Sequence, residues 1–338
     1  MLKAEYVRGA ALEIMEGEPP VPAAGQVVIR VSHVGICGTD LHLLHGAMDH
    51  RTGPRRVIGH EASGIVVAKG ADVDVELGAH VAFFPLVPCG QCPACLAGNG
   101  HICQRLVFLG IDGPGALQQE MVVDASLIVP IDPSVPERHG ALVEPTAVAV
   151  HDVRRAGLTA GDVALVVGGG PIGALIAVVA RHEGATVLVV ELDPFRQSVL
   201  RDLGFEVLDP REVDVKALVW ERTGGAGADV AFEVSGAEAG IATAIDAIKV
   251  RGTLGLVAVH TQPRSVDLHQ FFWRELTLVG SRLYVRGDFE RAAELLAQGV
   301  VPADALISRI VPLAQAQSAV DALFAKEDVM KVLVACND

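Results

Sequence analysis

Aromatic residues are scarce. Phe, Trp and Tyr make up 4% of the 338 residues, whereas hydrophobic residues as a whole make up 51%. The apolar mass is therefore aliphatic. That disfavours an aromatic-rich β sandwich and suits a buried parallel sheet flanked by helices. Basic residues are also few: 27 Lys and Arg face 41 Asp and Glu, for a formal net charge of -14. Such a surface repels phosphate backbones, so no nucleic-acid partner is expected. An anionic cofactor would have to be held by local dipoles instead. Long hydrophobic runs are missing too. No apolar stretch reaches the roughly 20 residues that span a bilayer, and the opening MLKAEYVRGA has no signal-peptide core. No membrane partner is expected, and the chain is expected in the cytoplasm.

A chain of 338 residues exceeds what one ordinary core supports, so two domains are expected. The first 36 residues are β-rich; QVVIRVSHVGI alternates and is heavy in Val and Ile. ASGIVVAKG and AHVAFF continue the pattern, with dense Gly and Pro punctuation. EPTAVAVHDVRRAG reads as a helix. Strands (DVALVVG, TVLVVEL, DVAFEVSG) then alternate with helices (GALIAVVARHEG, DPFRQSVLRDLG, EAGIATAIDAIKVRG), ending in the strands LGLVAV and LTLVGS. This alternation predicts a doubly wound parallel, or Rossmann, sheet. DFERAAELLAQG and AQSAVDALFA read as further helices. The simplest partition is a dinucleotide-binding domain at residues 152–283, inserted into a second domain made of residues 1–151 and 284–338.

Cys89, Cys92, Cys95 and Cys103 follow the spacing C-x2-C-x2-C-x7-C. Four thiolates so spaced can close a tetrahedral shell around a structural zinc, leaving no position for exchange. In a reducing compartment the cluster reads as metal ligation rather than disulfides. An iron–sulfur cluster uses the same donors, but nothing else in the chain suggests one-electron chemistry. Cys336 reads as a cysteine of an edge strand. Trp220 and Trp273 read as packing residues, with a subunit contact or the cofactor cleft as the alternative for Phe271, Phe272 and Trp273.

A catalytic zinc needs about three protein ligands and one exchangeable position. The candidates are Cys37 in GICGTDLH, His60 and Glu61 in GHE, and Glu144 in LVEPTAVAVH. Each is weak alone: a lone Cys is usually a core residue, and a His–Glu pair is usually on the surface. GGGPIG places Gly168, Gly170 and Gly173 as G-x-G-x-x-G, with Pro171 and Ile172 between the last two. A predicted strand precedes it and a predicted helix follows. Gly168 permits the turn, Gly170 lets a pyrophosphate approach, and Gly173 lets the helix lie close to the strand. The helix N-terminus adds N–H donors and a positive dipole. Eighteen residues past Gly173 stands Glu191. A carboxylate there binds ribose hydroxyls and repels a 2′-phosphate, favouring NAD over NADP. Asp193 competes for that role. Arg196 would lie by the ribose and leaves room for some NADP use.

Taken together, GICGTDLH, GHE, the cysteine loop, EPTAVAVH and GGGPIG resemble the zinc-containing medium-chain dehydrogenases, in the same order and over nearly the whole chain. EPTAVAVH is most similar to the polyol branch, which includes sorbitol and butanediol dehydrogenases. Simple alcohol dehydrogenases have a cysteine where this chain has Glu144. The resemblance implies a partly open, GroES-like β-barrel domain carrying both zincs, a Rossmann domain carrying NAD, and a homo-oligomer, tetramer before dimer. It implies Cys37 and His60 as ligands of the catalytic zinc, with either Glu61 or Glu144 as the third. Asp40 would orient His60 through its other ring nitrogen. Thr39 and His42 would be the hydroxyl and histidine of a proton relay. The implied reaction is reversible oxidation of a secondary alcohol, in a diol, polyol or sugar alcohol, to a ketone. A threonine-type amino-alcohol dehydrogenase and a non-catalytic nucleotide-binding homologue are the alternatives. Arg51, Arg55 and Arg56 of HRTGPRR read as a solvated loop ahead of a phosphate site.

Overall fold

The computed structural model describes residues 1–337 apart from Ala10 and Lys326. The chain divides into two compact units. One comprises Met1–Ala147, Val285–Gly299 and Leu306–Asp338; the other comprises Val148–Tyr284 and Val300–Ala305. Among the described residues, no helix is long and apolar enough to cross a membrane.

The first unit is built around the ten-residue strand Gln26–Gly35. Val27, Val28, Ile29, Val31 and Val34 are all buried, so side chains on both of its faces are covered. It pairs antiparallel with Glu61–Lys69, Glu120–Asp124 and Lys331–Ala335. Register shifts at Val28/Ile29 and Val31/His33 interrupt the first of these ladders, and such bulges bend a sheet toward closure. Ile307–Pro312, His80–Phe83 and Ile128–Pro130 complete the sheet. Lys331–Ala335 is flanked by strands on both sides. Cys336 therefore follows an interior strand and is buried, which corrects the edge-strand expectation. KVLVA is apolar except for its lysine, as a strand covered on both faces should be.

The second unit carries a parallel sheet. Its strand order is Glu206–Leu208, Thr186–Val190, Val163–Val167, Ala228–Glu233, Ile248–Leu256, Thr277–Gly280. In chain order this is 3-2-1-4-5-6, and it reverses direction between Val163–Val167 and Ala228–Glu233. Such a switch point opens a crevice at the carboxyl ends of the strands. Leu165, Val167, Leu188, Val190, Ile241, Ile245 and Leu254 lie in one buried cluster. Two departures from the sequence reading stand out. The helix Glu238–Ala247 stops early, and IKVRG opens the next strand, where Ile248 pairs with Ala228. Sheet pairing there overrides helical spacing, in a segment carrying β-branched Ile248 and Val250. Trp273 is 67% exposed and so is not a packing residue within the chain.

Candidate active site and cofactor crevice

The cysteine loop folds back on itself through the single-turn helix Pro93–Leu96 and the turn Gly100–Ile102. The sulfurs of Cys89, Cys92, Cys95 and Cys103 all lie within 4.8 Å of one another, and all four are unbridged. The Cys89 and Arg105 N–H groups donate to Cys103 Sγ at 3.3 and 3.2 Å. Backbone N–H donation at Gln91, aided by Cys103 and Arg105, draws the Cys89 thiol down to about 6. Desolvation, and then hydrogen bonding with Cys92 and Cys103, drive Cys95 up to about 12. Four thiols this close cannot all ionise without a cation among them, and a tetrahedral zinc fits both the spacing and the donors.

The second cluster forms where two sequence-distant turns meet. Cys37 is the N-cap of the helix Gly38–Leu44, and its N–H donates to Asp40 Oδ2 at 2.9 Å. Glu61 opens the strand that pairs Glu61 with Gly35, so GHE lies beside GICGTD. Ligand atoms of Cys37, His60 and Glu61 come within 4.8 Å of one another. His60 Nδ1 stands 3.6 Å from Asp40 Oδ1, and both atoms are buried without a hydrogen-bond partner among the described residues. Asp40 thus caps the helix and also faces His60. Burial works against a charged His60, but Asp40, Cys37 and Glu144 together hold its pKa well above the ordinary value. Burial raises that of Asp40.

Lys331 reaches this cluster from the interior strand. Its ammonium lies against Glu61 Oε2 and donates to Ile36 O at 3.3 Å. Burial opposes its charge; Glu61 and the Cys37 sulfur outweigh burial and raise its pKa. Glu144 is buried in the first turn of Val143–Arg155. Its charge acts on His60 and Lys331, yet it falls outside the tight group formed by the other three. Three carboxylates and a thiol thus share a buried space with one ammonium. A divalent cation would offset that excess, and thiolate, imidazole and carboxylate donors suit zinc. Thr39 and His42 sit three residues apart on the adjoining helix, both half-buried, a spacing that puts them on one helical face.

In the second unit Val163–Val167 runs into Gly168, whose φ of +105° favours glycine. Gly170 is the N-cap of Pro171–His182, with Pro171 in its first turn. A Cβ on Gly173 would stand 1.8 Å from Gly168 O, so a side chain there would force the turn and helix apart. Arg196 lies beside Gly170. Glu191 Oε2 accepts the Gly169 N–H at 2.7 Å; its Oε1 accepts those of Leu192 and Asp193 at 2.6 and 2.8 Å. Asp193 caps Pro194–Asp202 through the Arg196 N–H, so helix capping occupies it. This cradle of small residues and amides fits a dinucleotide.

Residues 23–133 match the alcohol dehydrogenase GroES-like domain, and residues 171–298 match the zinc-binding dehydrogenase domain. The chain is 44% identical over 338 residues to the 2-dehydro-3-deoxy-L-galactonate 5-dehydrogenase of Pseudoalteromonas atlantica, covering 100% of this chain and 99% of that one. It belongs to the zinc-binding dehydrogenase family. The (R,R)-butanediol dehydrogenase of Neisseria gonorrhoeae is 33% identical over 328 residues, 93% of this chain and 92% of that one. The crystal structure of 2R,3R-butanediol dehydrogenase from Bacillus subtilis superposes with a TM-score of 0.91 at 31% identity, over 99% of each chain. As a member of this family the protein is a dehydrogenase that works with zinc and a nicotinamide cofactor. The expected union of a GroES-like fold and a doubly wound sheet holds.

Lys331 escaped the sequence reading of this dehydrogenase. Its only signal was a single cation in an apolar strand, KVLVA. The HRTGPRR loop is more tied down than a solvated loop would be. Arg51 donates twice to Asp112, at 2.9 and 2.6 Å, and Arg55 pairs with Glu5 and Glu13.

Proposed function

We propose that this dehydrogenase reversibly oxidises one secondary hydroxyl of a sugar acid, or of a related polyol or diol, to a ketone, with NAD as hydride acceptor. The half-buried Cys37 with the buried His60 and Glu61, beside Thr39 and His42, carries the reading. The substrate class follows the full-length relative that acts on 2-dehydro-3-deoxy-L-galactonate. Cys37, His60 and Glu61 would hold the catalytic zinc, with Glu144 close enough to act on His60 by its charge. The four-cysteine loop would hold a second, structural zinc. Functionally, residues 1–151 and 284–338 form the catalytic part and residues 152–283 the dinucleotide-binding part.

When bound, zinc supplies Lewis-acid polarisation of the substrate oxygen and NAD accepts the hydride. The chain supplies the rest. Thr39 takes the proton of the substrate hydroxyl while passing its own toward His42, which releases it to solvent. Asp40 holds the His60 ring in place. Lys331 offsets the charge of Glu61. Gly168, Gly170, Pro171, Ile172 and Gly173 present the helix N-terminus to the pyrophosphate. The Glu191 carboxylate disfavours a 2′-phosphate, which supports NAD, and Arg196 flanks the same corner.

The protein works in the cytoplasm, where its unbridged cysteines stay reduced, and as a homotetramer. Supporting assembly, the strand Thr277–Gly280 is an edge of its sheet, and the preceding helix exposes Leu268, Phe272 and Trp273. Sedimentation analysis reads that state. The substrate test is NAD reduction by zinc-replete protein across aldonic acids, 2-keto-3-deoxyaldonic acids, diols, polyols and L-threonine. Sugar acids should lead in kcat/KM by about tenfold or more, and L-threonine should be inert. No activity with any alcohol sinks the reading.

A further inference from the structure

The switch point of the parallel sheet holds a pair of residues that the proposed mechanism does not use. Glu233 ends Ala228–Glu233. It is in register with Val167 on one side, where the glycine turn begins, and with Leu256 on the other. Its carboxylate is fully buried. Oε1 accepts the N–H groups of Ser235 and Gly236, both at 2.9 Å, and the Ser235 hydroxyl at 2.5 Å. Oε2 lies 2.9 Å from His260 Nε2. A carboxylate accepts hydrogen bonds through both oxygens. Nε2 therefore carries the proton and donates it, which leaves a lone pair on Nδ1. That Nδ1 is buried and, among the described residues, has no hydrogen-bond partner. Buried polar atoms are nearly always paired, so this lone pair is open to a partner from outside the chain, and a bound ligand can supply one.

The position of the pair indicates which ligand. A sheet ordered 3-2-1-4-5-6 binds a dinucleotide across the carboxyl ends of its strands, one mononucleotide to each half. The glycine turn and Glu191 belong to the half formed by Val163–Val167, Thr186–Val190 and Glu206–Leu208. That half takes the pyrophosphate and the adenosine ribose. Glu233 ends the first strand of the other half, and His260 follows the second. The Ser235 N–H also abuts the glycine turn, 2.8 Å from where a Cβ on Gly168 would stand.

We infer that His260, held by Glu233, is a positioning residue for the nicotinamide half of the cofactor, its Nδ1 accepting a hydrogen bond from an O–H or N–H of the nicotinamide riboside. The inference rests on the nicotinamide-dependent reading above. A phosphate oxygen has no proton to offer the lone pair, whereas the ribose hydroxyls and the carboxamide do.

The test compares NADH binding, followed by NADH fluorescence, with AMP binding, followed by calorimetry, in zinc-loaded protein. His260→Gln keeps a donor at the Nε2 position for Glu233 and has nothing at Nδ1. His260→Asn reaches the Nδ1 position and gives up Glu233. His260→Gln should weaken NADH binding about tenfold and leave AMP binding unchanged, with His260→Asn nearer the unsubstituted protein. Unchanged NADH affinity in His260→Gln overturns the inference. Glutamine outperforming asparagine does so too, as does a joint loss of NADH and AMP binding with a lower melting temperature, which marks a packing role. In the unsubstituted protein, nitrogen NMR of ring-labelled histidine should show Nδ1 of His260 moving with NADH and not with AMP; a still resonance overturns the inference whatever the variants do. Should the unsubstituted protein bind no NADH at all, the nicotinamide reading fails first and takes this inference with it.

Discussion

The ammonium of Lys331 rests against Oε2 of Glu61, and both side chains are buried. Removing one partner of such a pair strands the other charge in a poorly solvated space. Lys331→Met should therefore destabilise metal-free protein by about 3–5 kcal/mol, read from its urea midpoint. Zinc-loaded protein should lose less, because the metal then compensates Glu61. Equal losses in the two forms would show that Glu61 does not serve the metal.

The four-cysteine loop is a separate matter from catalysis. Metal analysis should find about two zinc ions per chain, and Cys103→Ser should leave about one. The variant should melt earlier, since metal binding at such a loop contributes directly to folding. Its remaining zinc should still support turnover per folded molecule. Loss of both ions together would mean that the two sites are not independent.

Thr39 is assigned to proton transfer and not to metal binding. Thr39→Val keeps the shape and removes the hydroxyl. The expected result is a fall in kcat of about 10²–10⁴-fold, with zinc content and NADH affinity unchanged. Turnover at the unsubstituted rate would remove Thr39 from the relay.

Tyr6 is fully buried and donates to Asp49 Oδ1. Burial, and then that carboxylate, push its phenol from the ordinary 10.0 up to about 12. Above pH 10 the unfolded chain loses this proton while the folded chain keeps it, so the folded state binds more protons and stability falls as pH rises. The contribution is whole below about pH 10 and is lost through about pH 12. Tyr6→Phe should flatten that stretch of the stability–pH curve. Parallel curves for the two proteins between those values would exclude the assignment.

What could be read in the sequence depended on how local each feature is. Cys89 to Cys103 close their own loop, so spacing alone described the shell. Gly168 to Gly173 likewise form a turn whose constraints lie within six residues. Cys37, His60 and the two glutamates were visible as residue types. Which carboxylate joins the group depends on the pairing of Gly35 with Glu61, a long-range event with no local sign. Lys331 was invisible for the same reason. IKVRG was misread because its spacing suits a helix, while the strand Ala228–Glu233 beside it claims Ile248.

The interior strand Lys331–Ala335 has a consequence for biosynthesis. Cys37, His60 and Glu61 leave the ribosome well before Lys331, the cation that pairs with Glu61, which follows 270 positions after it. In between, the whole parallel-sheet unit is made. Until Lys331 emerges, a nascent chain therefore displays a thiol, an imidazole and a carboxylate without its ion-pair partner. That is when metal can enter without displacing an ion pair, and when a protease would find the sheet still missing a strand between Gln26–Gly35 and Ile307–Pro312. Addition of this strand both fills the sheet between its neighbours and brings the ammonium to Glu61.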